Sequence, residues 1–221
     1  NGEKGIINVT FAKQFTQSGK LLVKSIQGGT AANVVPAAAK AELICDESIS
    51  REILKLSFPK VTFTATESGL LIEAEGISAH GSTPNQGENA IGRLVLAMAQ
   101  LPFEGEMKEI LHFLAEKLGM EYDGKSAGIY LEDAVSGTLT LNWGTLNADE
   151  NSLSMIINYR YPVTFQYDDC APAFLQLFAD AGFTVAHELH KAKLYVPEDS
   201  ELIQILLKVY KDYTSIIGKP K

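Results

Sequence analysis

The sequence has little of what would tie it to nucleic acid, to a membrane or to an oxidising compartment. Its 19 lysines and arginines are outnumbered by 27 aspartates and glutamates, for a net charge of -8. An acidic chain is a poor ligand for nucleic acid or anionic lipid, both of which need clustered cations to displace counterions. No apolar run approaches the roughly 20 residues needed to span a bilayer; one of the longest is 94–99. Cys45 and Cys170 are the only cysteines. With no signal peptide, they lead to the expectation of two reduced thiols in a cytoplasmic protein. The partner expected is a small molecule or another protein.

Catalytic motifs are scarce too. No serine lies in a Gly-x-Ser-x-Gly elbow, and Gly28-Gly29-Thr30 is too short for a phosphate-binding fingerprint. Besides His80 the histidines are His112, His187 and His190. His112 falls in a helical pattern with no metal-spaced partner. His187 and His190, three apart in an extended run, point to opposite faces. No metal site is expected within the chain.

What remains is ordinary globular material, 221 residues that are 46% hydrophobic and 21% charged, enough for one large domain or two small lobes. Strand-like runs at 6–11 and 20–26 lead to a Val-Val-Pro stretch ending at Pro36 and a further run at 37–45. Ser50 is placed to cap a short helix over 51–56. Residues 61–65 and 70–75 alternate as a hairpin around Glu67-Ser-Gly69. Helices are expected at 89–101, 106–118 and 170–181, with a second hairpin over 137–146 and 152–161. The stretch 121–133 is expected to cross between lobes. A last helix, 200–213, carries Leu202, Leu206, Val209 and Tyr213 on one face and is expected to end at Gly218 and Pro220. Two hairpin-plus-helix units predict an α+β fold of two similar ferredoxin-like lobes, each an antiparallel sheet with helices on one face. The expected division is 1–104, 105–193 and a return segment 194–221.

The most informative stretch is Gly76-Ile-Ser-Ala-His80-Gly-Ser-Thr-Pro84-Asn-Gln-Gly87-Glu-Asn-Ala-Ile91. Its glycines and proline build a loop between a strand and a helix, with an imidazole at the tip. An exposed histidine alone is a weak signal. The spacing, however, resembles the Gly-x-x-Ala-His-x-x-x-Pro-x-x-Gly-x-Asn-Ala signature in the lid of the di-zinc aminoacylase, carboxypeptidase and dipeptidase family. Asn1-Gly-Glu-Lys-Gly5, Asn33-Val-Val-Pro36, Asn158-Tyr-Arg160-Tyr-Pro162 and Leu194-Tyr-Val-Pro197 are similar to the peptidase V type of dipeptidase, so nearly the whole chain is covered.

That resemblance implies a zinc-dependent dipeptidase parent, with two zinc ions held outside this chain and dipeptides as substrates. His80 is then the lid histidine that stabilises the oxyanion. Arg160 grips the substrate's terminal carboxylate, and Asn33 helps hold the substrate. On this expectation the chain is a piece of a longer protein, inactive without its catalytic domain. Without the family, Arg160 could make a surface ion pair and Asn33 could complete a turn. The alternatives are a non-catalytic α+β module for dimerisation or amino-acid binding, and the lid of an aminoacylase or carboxypeptidase of the same family.

Overall fold

Alternation of apolar and polar side chains gives most of the strands one face that must be buried. In the computed structural model, which describes residues 2–214, eight such strands form one continuous antiparallel sheet. They are β1 (Gly5–Gln14), β2 (Leu21–Gly28), β3 (Ala38–Cys45), β4 (Val61–Thr66), β5 (Gly69–Glu75), β6 (Thr140–Ala148), β7 (Ser152–Tyr161) and β8 (Thr184–Lys191). Their order across the sheet is β8-β1-β7-β6-β2-β3-β5-β4. The helices are α1 (Glu47–Ile53), α2 (Ala90–Met98), α3 (Gly105–Lys117), α4 (Ala171–Asp180) and α5 (Glu201–Thr214).

In β1 the odd positions Ile7, Val9 and Phe11 are fully buried. The first four helices add Ile53, Leu94, Leu111 and Phe174 to the same core cluster. Phe11 stacks on Phe178 at 4.1 Å, and Phe174, Phe113 and Phe183 surround Phe178 edge-on. The even positions of β1 face the other way, and that second face carries the candidate site.

The α+β class is as expected, but the halves are not separate sheets. β2 joins β6 through the pairs Ile26–Ala148, Gln27–Asn147 and Gly28–Leu146, so the sheet runs unbroken. Nor does pairing follow a division at residue 104. β1 lies between β7 and β8, with Asn8 opposite Asn158 and Val9 opposite Glu188, because its apolar face completes the aromatic cluster on α4.

Some helix and hairpin boundaries differ from those expected. Asp46, not Ser50, caps α1: its carboxylate accepts from the Ile49 N–H at 3.0 Å. The helix therefore starts earlier, and Ser50 becomes a buried interior residue. The second hairpin begins at Thr140 because Gly137–Thr138 pairs with Glu132–Asp133 instead. Asn89 caps α2 by accepting from the Ile91 and Gly92 N–H groups. In α5 only Ile203 is buried, while Leu202, Leu206, Val209 and Tyr213 are exposed; the expected stop at Gly218 and Pro220 lies outside the described residues. No described helix is long and apolar enough to cross a membrane.

Candidate functional site

The sheet face away from the helices carries an asparagine on each of three adjacent strands, with Asn158 of β7 in register with Asn8 of β1 and Asn142 of β6. Asn142 and Asn158 are each only 1% exposed, a degree of burial that obliges their amides to find partners. The Asn158 Nδ2 donates to Asn8 Oδ1 at 2.7 Å. The Asn142 Nδ2 donates to the carbonyls of Ala32 and Val34 at 2.8 and 3.0 Å. These are the residues on either side of Asn33, so a buried amide fixes the backbone from which the exposed Asn33 side chain projects.

The His80 loop closes on itself and then on that backbone. Ile77 and Glu88 exchange N–H to carbonyl bonds at 2.9 Å, and the Thr83 N–H donates to the His80 carbonyl at 2.9 Å. The Gly81 N–H donates to the Asn33 carbonyl at 2.7 Å and the Val35 N–H to the Ala79 carbonyl at 2.9 Å, which zips the two loops together. Gly81 makes this approach possible: a Cβ there would lie 3.1 Å from both Asn158 Oδ1 and the Asn33 backbone, tighter than side chains ordinarily tolerate.

The imidazole of His80 is exposed, and Ser82 contacts one of its nitrogens. The Ser82 N–H donates to His80 Nδ1 at 3.2 Å, and Ser82 Oγ lies 2.6 Å from the same nitrogen. A ring nitrogen that accepts from a peptide N–H carries no proton, so the Ser82 hydroxyl donates to it as well. With Nδ1 taken up by Ser82 in this way, Nε2 is the ring nitrogen left as a donor.

Arg160 lies two residues beyond Asn158 and therefore on the same face. Its Nε donates weakly to Asn158 Oδ1 at 3.4 Å. Arg160 also lines a cleft of about 360 Å³ with Lys4, Ser82 and Ser136, bordered by Val135 and Val163. Asn33, His80 and Arg160 are thus brought to one neighbourhood, the first two by direct backbone pairing and the third through Asn158. Burial lowers the pKa of Arg160, against a raising influence from Glu3.

One wall of the cleft is a clamp around Asp133. One of its oxygens accepts from the Val135 N–H at 3.0 Å and from the Ser136 N–H and hydroxyl. The other accepts from the N–H and hydroxyl of Thr164 at 3.0 and 2.9 Å. Burial would raise this carboxyl, but the bonds from Ser136 and Thr164 outweigh it and hold the pKa at about 2.

Sequence reasoning missed Lys4, Ser82, Asn142 and Asn158. The even spacing of Asn158 and Arg160 in an alternating strand was the available signal for Asn158; Lys4 before β1 gave none. Of the other histidines, His190 Nε2 is hydrogen-bonded to the Tyr161 hydroxyl at 2.8 Å. Among the described residues no group of three or more His, Cys, Asp or Glu could hold a metal ion. The donors present therefore do not fit a zinc pair.

No family model matches the chain. Curated relatives do. Over 233 residues the chain is 30% identical to a β-Ala-Xaa dipeptidase of Lactobacillus delbrueckii subsp. lactis, covering 100% of this chain and 47% of that protein. It is 30% identical over 224 residues to a putative dipeptidase of Bacillus subtilis, covering 96% of this chain and 47% of the relative. It is 25% identical over 233 residues to a putative dipeptidase of Staphylococcus epidermidis, covering 100% of this chain and 49% of the relative. The chain thus spans about half the length of the curated relatives it matches. Among solved structures, an aminoacylhistidine dipeptidase from Vibrio alginolyticus aligns with 99% of this chain and 50% of its own, at a TM-score of 0.48 and 10% identity. The resemblance first read around His80 holds end to end: this chain is a relative, over its whole length, of a segment of proteins named dipeptidases.

Proposed function

We propose that this chain is the substrate-binding lid portion of a zinc-dependent dipeptidase that hydrolyses short peptides with free termini. The observation that supports the reading is that Asn158 lies beside both the His80 loop at Gly81, whose imidazole is held at Nδ1 and leaves Nε2 as an N–H donor, and the Arg160 guanidinium, which has no ion-pair partner among the described residues. An N–H donor of that kind suits an oxygen that gains negative charge in the transition state. A planar guanidinium suits a carboxylate.

In this reading Arg160 holds the peptide's terminal carboxylate, Asn33 contacts the peptide from the adjoining loop, and His80 Nε2–H donates to the oxyanion. Fixing the carboxylate at a set distance from the scissile bond favours short substrates by positioning. Two zinc ions, for which the described residues hold no donor set, belong to the catalytic domain of the same polypeptide and supply an activated water. This chain alone is then inactive. Cytoplasmic residence goes with the same reading, because Cys45 and Cys170 are both free thiols and a reducing compartment keeps them so.

The test uses the full-length protein. His80→Ala lowers kcat on dipeptides by about 100-fold, as expected for a lost oxyanion donor, with zinc content unchanged by elemental analysis. A change within about threefold would sink the assigned role.

A further inference from the structure

Lys4 stands beside Arg160 on the cleft. It immediately precedes β1, whose Ile6 is paired with Arg160, and even spacing puts Lys4 on the site face of the sheet. It is partly buried and lines the same cleft as Arg160 and Ser82. Its Nζ donates to the carbonyl of Thr138, which anchors the ammonium and leaves two of its three donors.

Neither cation has an ion-pair partner among the described residues. The two acids nearby are committed elsewhere. Asp133 is saturated by Val135, Ser136 and Thr164, and Glu3 is bonded to Lys191 at 2.9 Å. Burial lowers the Lys4 pKa, Asp133 opposes the change, and the charge of Arg160 adds to it. Two like charges held together in a partly desolvated cleft are costly unless an anion joins them.

We propose that Lys4 and Arg160 form a two-cation seat for a single carboxylate, with Lys4 acting as a substrate-binding residue for the C-terminal carboxylate of the peptide. The proposal rests on the dipeptidase reading. It adds a point charge, free to follow the anion, to the planar fork of Arg160, and it makes carboxylate affinity depend on the protonation of a lysine.

The experiment is steady-state kinetics of the zinc-loaded full-length protein on Ala-Ala, Ala-Glu and Ala-Ala amide. Lys4→Met raises KM for both dipeptides by about tenfold, the scale of a lost hydrogen bond to a charged group, and changes kcat and the amide's kinetics by less than about twofold. In an Arg160→Met background the same change costs less than about twofold more, because the carboxylate is no longer seated. Lys4→Arg restores most of the affinity. With wild type, KM rises as pH climbs through the lowered Lys4 pKa, because the ammonium is lost there; with Lys4→Arg that rise disappears.

A loss confined to Ala-Glu overturns the proposal and assigns Lys4 to an acidic side chain instead. Equal losses on dipeptide and amide, or a full tenfold effect in both backgrounds, overturn it as well. If Arg160→Met separates dipeptide from amide while Lys4→Met does nothing, the dipeptidase reading stands and this proposal alone fails. If wild type does not prefer dipeptides to the amide, both fail together.

Discussion

The two faces of the sheet are held by different physics. On the helix side, Phe11, Phe174 and Phe178 are fully buried, and stability there comes from apolar area removed from water and from close packing. On the other side the buried residues include Asn142, which holds the Asn33 loop through amide hydrogen bonds, and Asn158, which bonds Asn8 across the strands. Packing tolerates small rearrangements by sliding, whereas a hydrogen bond fixes a direction. The face that carries Arg160 and the Asn33 and His80 loops is the one built from directed bonds, so damage to each face should read out in a different measurement.

The largest effect on stability should come from the helix face. Phe178→Ala removes the ring at the centre of the aromatic cluster and costs about 3–5 kcal/mol; calorimetry should show the melting temperature falling by about 10 °C. On the proposed dipeptidase reading, KM of the full-length protein for a dipeptide, measured well below the new melting point, stays within about twofold. Asn142→Leu reverses the pattern. The carbonyls of Ala32 and Val34 lose their donor at a cost of about 1–3 kcal/mol, and KM rises because the Asn33 backbone is no longer fixed. If KM is unchanged while stability falls, the asparagines serve the sheet and not the site.

A smaller effect is expected at the cleft wall. The Asp133 pKa of about 2 lies below its unfolded value of about 3.9. A depressed carboxyl contributes stability that is fully present above the unfolded pKa and is lost as pH falls through the folded one. Asp133→Asn therefore lowers stability by on the order of 1 kcal/mol at neutral pH, after discounting for solvent screening. The difference between variant and wild type narrows as pH falls from about 4 to about 2, which acid titration followed by circular dichroism can check. Smallest of all is Lys24→Ala, which breaks a solvent-exposed pair with Glu42 and leaves the melting temperature within about 1 °C.

What the sequence revealed follows the same contrast between short and long range. The hairpin around Glu67-Ser-Gly69 and the helices α2 to α4 were legible because period, caps and turns act over a few residues. The cap of α1 was misplaced because Asp46 and Ser50 both suit a helix start. The placement of β1 was not legible at all, since nothing local in residues 5–14 specifies partners beginning at Ser152 and Thr184. At the candidate site, the spacing around His80 and the resemblance at Arg160 and Asn33 singled out these residues, and the structure pairs the His80 and Asn33 loops and bonds Arg160 to Asn158. The neighbours of Lys4 and Asn142 come from strand register, which no short motif encodes.

The position of β1 also sets the order in which the fold can assemble. During synthesis this strand precedes both its partners by more than a hundred residues, a delay on the order of ten seconds at ordinary elongation rates. Throughout that interval Ile7, Val9 and Phe11 form an apolar ribbon without a neighbour, and non-local pairing of this kind is intrinsically slow. Of these three strands β1 emerges first yet cannot pair until its partners follow, and in that interval its apolar face is open to chaperone capture or misassembly.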